Sequence, residues 1–303
     1  MTVRTRLAML VIVTLFGGTL PAYKLAEQGF GPATANAIRF AIAAAILCAV
    51  AGTRLRTARG RVRELLVLGM FGIGLMAVLM GFGVDGSTAT IGSIVIGLEP
   101  VGVALAGIVL AGDPGSRRVV IALAVGFAGA LVASGALSQR LGSVPLLAIA
   151  LLLGTVVAFS VYTSQVRRIA TGVDPLAVAA VTQIGAVSLA LPASLLDLAG
   201  RGMVRGSVHT EAVGAVLFLG LGSALAYLLL CLVLARQPAS RLAVVLYLVP
   251  VIGVVLSWLA VGEHLHLRDA IGGGIVLAAV AISEGRRGAV DVEAPAPIVT
   301  VER

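Results

Sequence analysis

The sequence predicts an all-α integral membrane protein of about ten transmembrane helices, a five-plus-five inverted repeat with both termini cytoplasmic. Three observations carry that prediction. Charged residues make up 12% of the 303-residue chain and hydrophobic ones 59%, with a mean hydropathy of +1.09. Soluble domains carry roughly 25% charged residues, so this chain lacks the polar side chains to cover a water-facing surface. The apolar residues fall in runs of bilayer length, roughly 20 residues at 1.5 Å rise. Finally, the second half of the chain echoes the first.

Apolar runs and their breakers place helices near 7–27, 33–51, 64–83, 87–111 and 118–136, then near 145–166, 175–196, 212–235, 240–261 and 268–284. Turns such as Gly29-Phe30-Gly31-Pro32 and Ala111-Gly112-Asp113-Pro114 separate them. The first run, after Arg4 and Arg6, imitates a signal peptide; its counterpart in the second half reads it as a retained helix. The tail, 285–303, with Pro295 and Pro297 among small residues, reads as disordered and cytoplasmic.

Arginines orient the chain. With a cytoplasmic N-terminus, the inner side collects Arg4, Arg6, Arg54, Arg56, Arg59, Arg61, Arg63, Arg117, Arg118, Arg167, Arg168, Arg236, Arg241, Arg286, Arg287 and Arg303. The outer side collects Arg140, Arg201, Arg205 and Arg268, with Lys24 near an outer helix end. That is the positive-inside asymmetry in its expected direction, and the expected location is a cell's inner membrane. The net charge of +8 therefore reflects topology; no nucleic-acid partner is implied, because no basic cluster is interleaved with exposed aromatics. Cys48 and Cys231 sit inside apolar segments as packing residues.

The echo is concrete. Leu98-Glu99-Pro100-Val101 recurs as Leu248-Val249-Pro250-Val251 at an offset of 150, ungapped to Asp113 against Glu263. Nearer the start the offset is 143: Phe16 matches Phe159, Lys24 matches Arg167, and Pro32 matches Pro175. The halves are 6–136 and 145–284, and five helices per half is odd, so the second half enters the membrane inverted. Inverted repeats of this kind are common among secondary transporters.

These residues also carry a family resemblance. The run from Phe218 to Tyr227, continuing through Leu248-Val249-Pro250 to Gly262-Glu263 and Ile271-Gly272, resembles a drug/metabolite transporter of the EamA type. In the first half Phe16-Gly17, Lys24, Pro32, Arg39-Phe40 and Glu99-Pro100 fit the same pattern. One departure is Asp113 followed directly by Pro114, which reshapes that turn. The resemblance implies five-plus-five helices and export of amino acids, other metabolites or toxic compounds. The expectation is a secondary carrier that exports an amino acid or related compound by alternating access. Drug export, carriage of a lipid-linked sugar and a lipid-modifying membrane enzyme rank below it. No catalytic residue and no cofactor is expected.

Polar groups at membrane depth mark the candidate path. Glu99 reads as mid-helix and mid-bilayer, either a substrate-ammonium or proton site or a structural acid held by a neighbouring helix. Arg39 either binds a substrate carboxylate through its planar fork or pairs with Glu99 or backbone carbonyls. Its counterpart is Thr182, followed by Gln183, a further binding candidate. Tyr227 and Tyr247 are the favoured aromatic contacts, and Trp258 reads as an interfacial anchor. Lys24 either snorkels to the headgroups or lines a vestibule. Pro100 and Pro250 are counterpart kinks that serve gating or the fold alone. Ser160, Tyr162, Thr163, Ser164 and Gln165 either line the path or bond between helices. His264 and His266 beside Glu263 make a weak metal motif, so no metal is expected; His209 is a loop residue. The expected partners are a small-molecule substrate, the lipid bilayer and a coupling proton.

Overall fold

The computed structural model describes residues 3–85, 95, 97–113, 115–133, 145–200, 202–204, 209–261 and 267–284. In chain order these form α1 (Val3–Gly17), α2 (Thr19–Ala26), α3 (Pro32–Ala51) and a 3₁₀ segment, Gly52–Arg61. Next come α4 (Val62–Gly69), a π-helical turn (Met70–Gly74), α5 (Leu75–Asp85), α6 (Glu99–Ala111) and α7 (Arg117–Ala133). The remainder is α8 (Leu146–Ile169), α9 (Pro175–Ala199), α10 (Thr210–Leu234), α11 (Ala239–Leu246), α12 (Leu248–Val261) and α13 (Leu267–Glu284). Among the described residues the only β-feature is an isolated bridge, Phe30 to Val204.

Proline decides where several helices break. It offers no N–H to the carbonyl four residues earlier and crowds it. Accordingly α1 ends at Gly17, four residues before Pro21, and α11 ends at Leu246, four before Pro250. The expected single helices 7–27 and 240–261 are therefore each two helices, jointed at Gly18 and Tyr247. The first-half counterpart of Tyr247 is Gly97, and a turn at 97–98 precedes α6 there. Glu99 and Pro100 thus head a helix, which corrects the mid-helix placement expected for both. Residues 86–94, where the expected helix begins, lie outside the described residues, as do His264, His266 and the tail 285–303. The expected 64–83 helix likewise carries a π-helical turn at its centre, and the arginine-rich stretch before it is 3₁₀ rather than open loop.

Among the described residues five helical stretches are long and apolar enough to cross a membrane, including Pro32–Gly83 of 52 residues. Shorter apolar helices are Glu99–Ala111, Ala239–Gly253 and Ala270–Ile282. Large apolar side chains such as Leu10, Phe71, Val109, Leu147, Leu195 and Leu221 stay exposed around the bundle, as lipid contact requires.

The two most extensive helix pairings, α3 with α9 and α7 with α13, each join segments that the sequence echo matches. α3 and α9 run antiparallel. The Asp197 carboxylate, near the end of α9, accepts bonds from Thr34 N (2.7 Å) and Thr34 Oγ1 (2.8 Å) at the start of α3. At the other end Arg54 lies 3.8 Å from Asp174, the N-cap of α9. Small residues let the backbones approach in lipid, where no hydrophobic force drives helices together. Ala37, Ala43 and Ala44 face this core from α3, and Ala179, Ala180 and Ala186 from α9. Closer still, a Cβ on Gly69 would overlap the Thr182 carbonyl, and one on Gly185 the Leu66 carbonyl. Phe16 and Phe159, counterparts at offset 143, meet edge-on with centroids 6.2 Å apart.

Candidate functional site

Arg39 occupies the third turn of α3, with 6% of its surface exposed. Its Nε donates to Ser223 Oγ on α10 at 2.5 Å, and its guanidinium carbon stands 5.2 Å from the Phe40 ring centroid. The Tyr23 hydroxyl, from α2, donates to the Pro32 carbonyl at the head of α3 at 3.5 Å. Among the described residues Arg39 forms no ion pair. A buried guanidinium without a carboxylate partner is costly, and it leaves donor groups for an anionic ligand.

Tyr227 lies one turn beyond Ser223 on the same face of α10 and is 1% exposed. Its ring meets Phe16 and Tyr162 edge-on, each at 5.9 Å. Glu99 is half-buried at the first turn of α6, where the helix dipole favours a negative charge. It makes no hydrogen bond or ion pair among the described residues, so the alternative in which Arg39 and Glu99 neutralise each other is not the arrangement found.

The structure therefore brings Arg39, through Ser223, beside Tyr227 and the rings of Phe16, Phe159 and Tyr162, while Glu99 stands at the head of α6. Gln183 on α9 is fully buried, and neither end of its amide has a partner among the described residues. Tyr247 is turned elsewhere. Its hydroxyl donates to the Leu123 carbonyl at 3.1 Å, and its ring packs flush on Gly126, fastening the α11–α12 joint to α7. Pro100 and Pro250 head their helices beyond the joints, and Lys24 falls in the last turns of α2.

Sequence reasoning missed Ser223, Asn36 and Tyr23. Ser223 and Tyr227 stand four residues apart, and Asn36 and Arg39 three apart, so helical spacing from the two chosen residues would have found both partners. Asn36 is 1% exposed; its amide nitrogen donates to the Pro32 carbonyl at 3.1 Å, while its Oδ1 has no partner among the described residues.

A bundle of apolar helices around buried charge defines a multi-pass membrane protein with a polar interior. The EamA-like transporter family matches residues 4–135 and again 146–284, and the chain belongs to that family. It is similar to an uncharacterized transporter of Archaeoglobus fulgidus, 24% identical over 285 residues that cover 93% of this chain and 99% of the relative. A crystal structure of a protein 20% identical in sequence shares the fold, with a TM-score of 0.80 over 93% of this chain and 97% of the other.

Proposed function

We propose that the protein is a secondary transporter of the inner membrane that exports an amino acid or a closely related zwitterion. One observation carries this reading: Arg39 is buried against neutral groups, Ser223 and the Phe40 ring, and Glu99 heads α6 with no hydrogen bond or ion pair among the described residues, so two opposite charges stand unpaired with each other. A zwitterion fits between such groups, its carboxylate toward the Arg39 fork and its ammonium toward Glu99. The aromatic wall of Phe16, Phe159, Tyr162 and Tyr227 then receives an apolar side chain. Glu99, when not holding substrate, carries the coupling proton.

The alternation we propose is a rocking of two inverted five-helix halves, 6–136 and 145–284, with both termini cytoplasmic. The antiparallel α3–α9 pairing and the meeting of Phe16 with Phe159 support that symmetry. No covalent chemistry is involved. The same aromatic wall supports a second reading, export of a hydrophobic drug or carriage of a lipid-linked sugar, in which the charges serve only architecture.

Flux into proteoliposomes separates the two. A labelled panel of amino acids and metabolites is offered with and without a proton gradient, to wild type and Glu99→Gln. Substrate-specific flux that collapses in Glu99→Gln is expected. Undiminished flux in the variant would remove Glu99 from the path. Folded protein that moves no amino acid but moves hydrophobic cations would favour the second reading.

A further inference from the structure

Below Tyr227 lies a second polar junction that the proposed binding site does not use. The Tyr162 hydroxyl stands 3.4 Å from Thr182 Oγ1 and 3.7 Å from Cys231 Sγ, tying α8 to α9 and α10. Tyr162 has no exposed surface, and its ring touches the Tyr227 ring on one side. On another side it lies flush on Gly72, where a Cβ would overlap it. Gly72 belongs to the π-helical turn Met70–Gly74, and such turns concentrate at functional sites because their wider ring leaves the backbone less tightly bonded.

A cavity of about 290 Å³ lies beyond this junction, lined by Val166, Ala170, Val173, Pro175, Val178 and Cys231. Exposed Arg168 and Arg236 mark that end of the bundle. Val166 stands one helical turn past Tyr162, so the cavity rises along α8 and α10 and stops at the Tyr162–Cys231 contact. The Gln183 amide, next in the chain to Thr182, supplies a second and independent sign. A fully buried amide with both ends unpaired is rare unless water or a solute reaches it.

We infer that Tyr162 is the inner gate of the solute path, closing the Arg39–Tyr227–Glu99 site from a vestibule that ends on Cys231. The gate is held by two contacts between neutral groups, and parting them with a rotation of the phenol away from Gly72 joins cavity and site. Gln183 then faces the opened passage and offers its amide to the moving solute. The inference takes its meaning from the transport reading, but its test needs no transported substrate, so either can fail alone.

The full chain with Cys48→Ser keeps Cys231 as its sole thiol. In proteoliposomes it is exposed to a charged, membrane-impermeant methanethiosulfonate from either face. Wild-type gating predicts slow labelling, from the arginine-rich face alone, and Tyr162→Ala at least tenfold faster labelling. Tyr162→Phe, which keeps the ring and loses the hydroxyl, falls between. An unchanged rate in Tyr162→Ala, or wild type labelled equally fast from both faces, would overturn the gate. Should Tyr162→Ala fail to give folded protein by size-exclusion chromatography, Gly72→Ala serves instead. Its methyl displaces the phenol, so labelling accelerates at least threefold; an unaltered rate overturns the proposal equally.

Discussion

Phe16, Thr19 and Arg39 in the first half of the chain and Phe159, Tyr162 and Thr182 in the second are the same positions, offset by 143. The two sets sit on matching helices of the echo and divide the chemistry differently. In the first, a crevice too narrow to admit a water runs past Thr19 to Arg39, whose charge is bonded to Ser223. In the second, a large phenol reaches two small neutral partners above a larger cavity. A hydrogen bond from a charged group contributes about 1.5–3 kcal/mol and a neutral one about 0.5–1.5. Matched positions of the sequence echo thus carry unequal contacts, and on the proposed mechanism the Arg39 side is the harder to part. A carrier whose halves were identical in sequence would have no preferred direction to rest in.

The largest effect that sharpens this contrast is expected from Arg39→Met. Removing one partner of a charged contact costs about 2–5 kcal/mol, so flux of a zwitterion should fall by about two orders of magnitude or more. Arg39→Lys should restore little, because an ammonium lacks the planar fork. Thr182→Val, at the matching position, should lower flux far less. Initial rates in proteoliposomes at matched protein density measure all three.

Packing at equivalent crossings should differ in the same sense. A Cβ at Gly69 meets the Thr182 backbone, which cannot yield, whereas one at Gly220 meets the Ile42 side chain. Gly69→Ala should destabilise by about 1–3 kcal/mol, the range for overpacking, and Gly220→Ala by less. Thermal unfolding in detergent, followed by the loss of monodisperse protein, would rank them. Equal losses would break the distinction.

The helix ends give a smaller contrast. Asp197 caps α3 from another helix with three bonds, from Ala33 N, Thr34 N and Thr34 Oγ1. Asp174 caps its own α9 through Leu176 N at 2.8 Å, and its partner Arg54 is largely exposed. Asp197→Ala should cost about 2 kcal/mol, at the upper end for a helix cap. Asp174→Ala should cost about 1 kcal/mol, since an exposed ion pair adds little. The smallest effect belongs to Tyr247→Phe, which loses one neutral bond to the Leu123 carbonyl, about 1 kcal/mol. Stability should drop slightly while flux is kept; lost flux would return Tyr247 to the solute path.

Much of this was legible before any coordinates. Apolar run length placed most of the helices, and the echo around Pro100 and Pro250 pointed to a kink in each half, where the structure has a full break before each proline. What stayed hidden has a physical cause. Several of these helices are apolar nearly all round, so periodicity carries no signal of which face looks inward. The bonds of Ser223 to Arg39, of Tyr162 to Thr182 and Cys231, and of Tyr247 to the Leu123 carbonyl were therefore hidden. Gly18 and Tyr247 read as mid-helix because neither residue breaks a helix by itself; the prolines three residues on do. Glu99 read as mid-helix for the same reason.

The decisive measurement is counterflow of free amino acids against their amides, which lack the carboxylate, in wild type and Arg39→Met. If Arg39 reads the carboxylate of a zwitterion, wild type should prefer the free acid strongly and the variant should lose that preference while still moving the amide. A preference for the acid that survives in Arg39→Met would mean that Arg39 holds helices together and that the solute is recognised elsewhere.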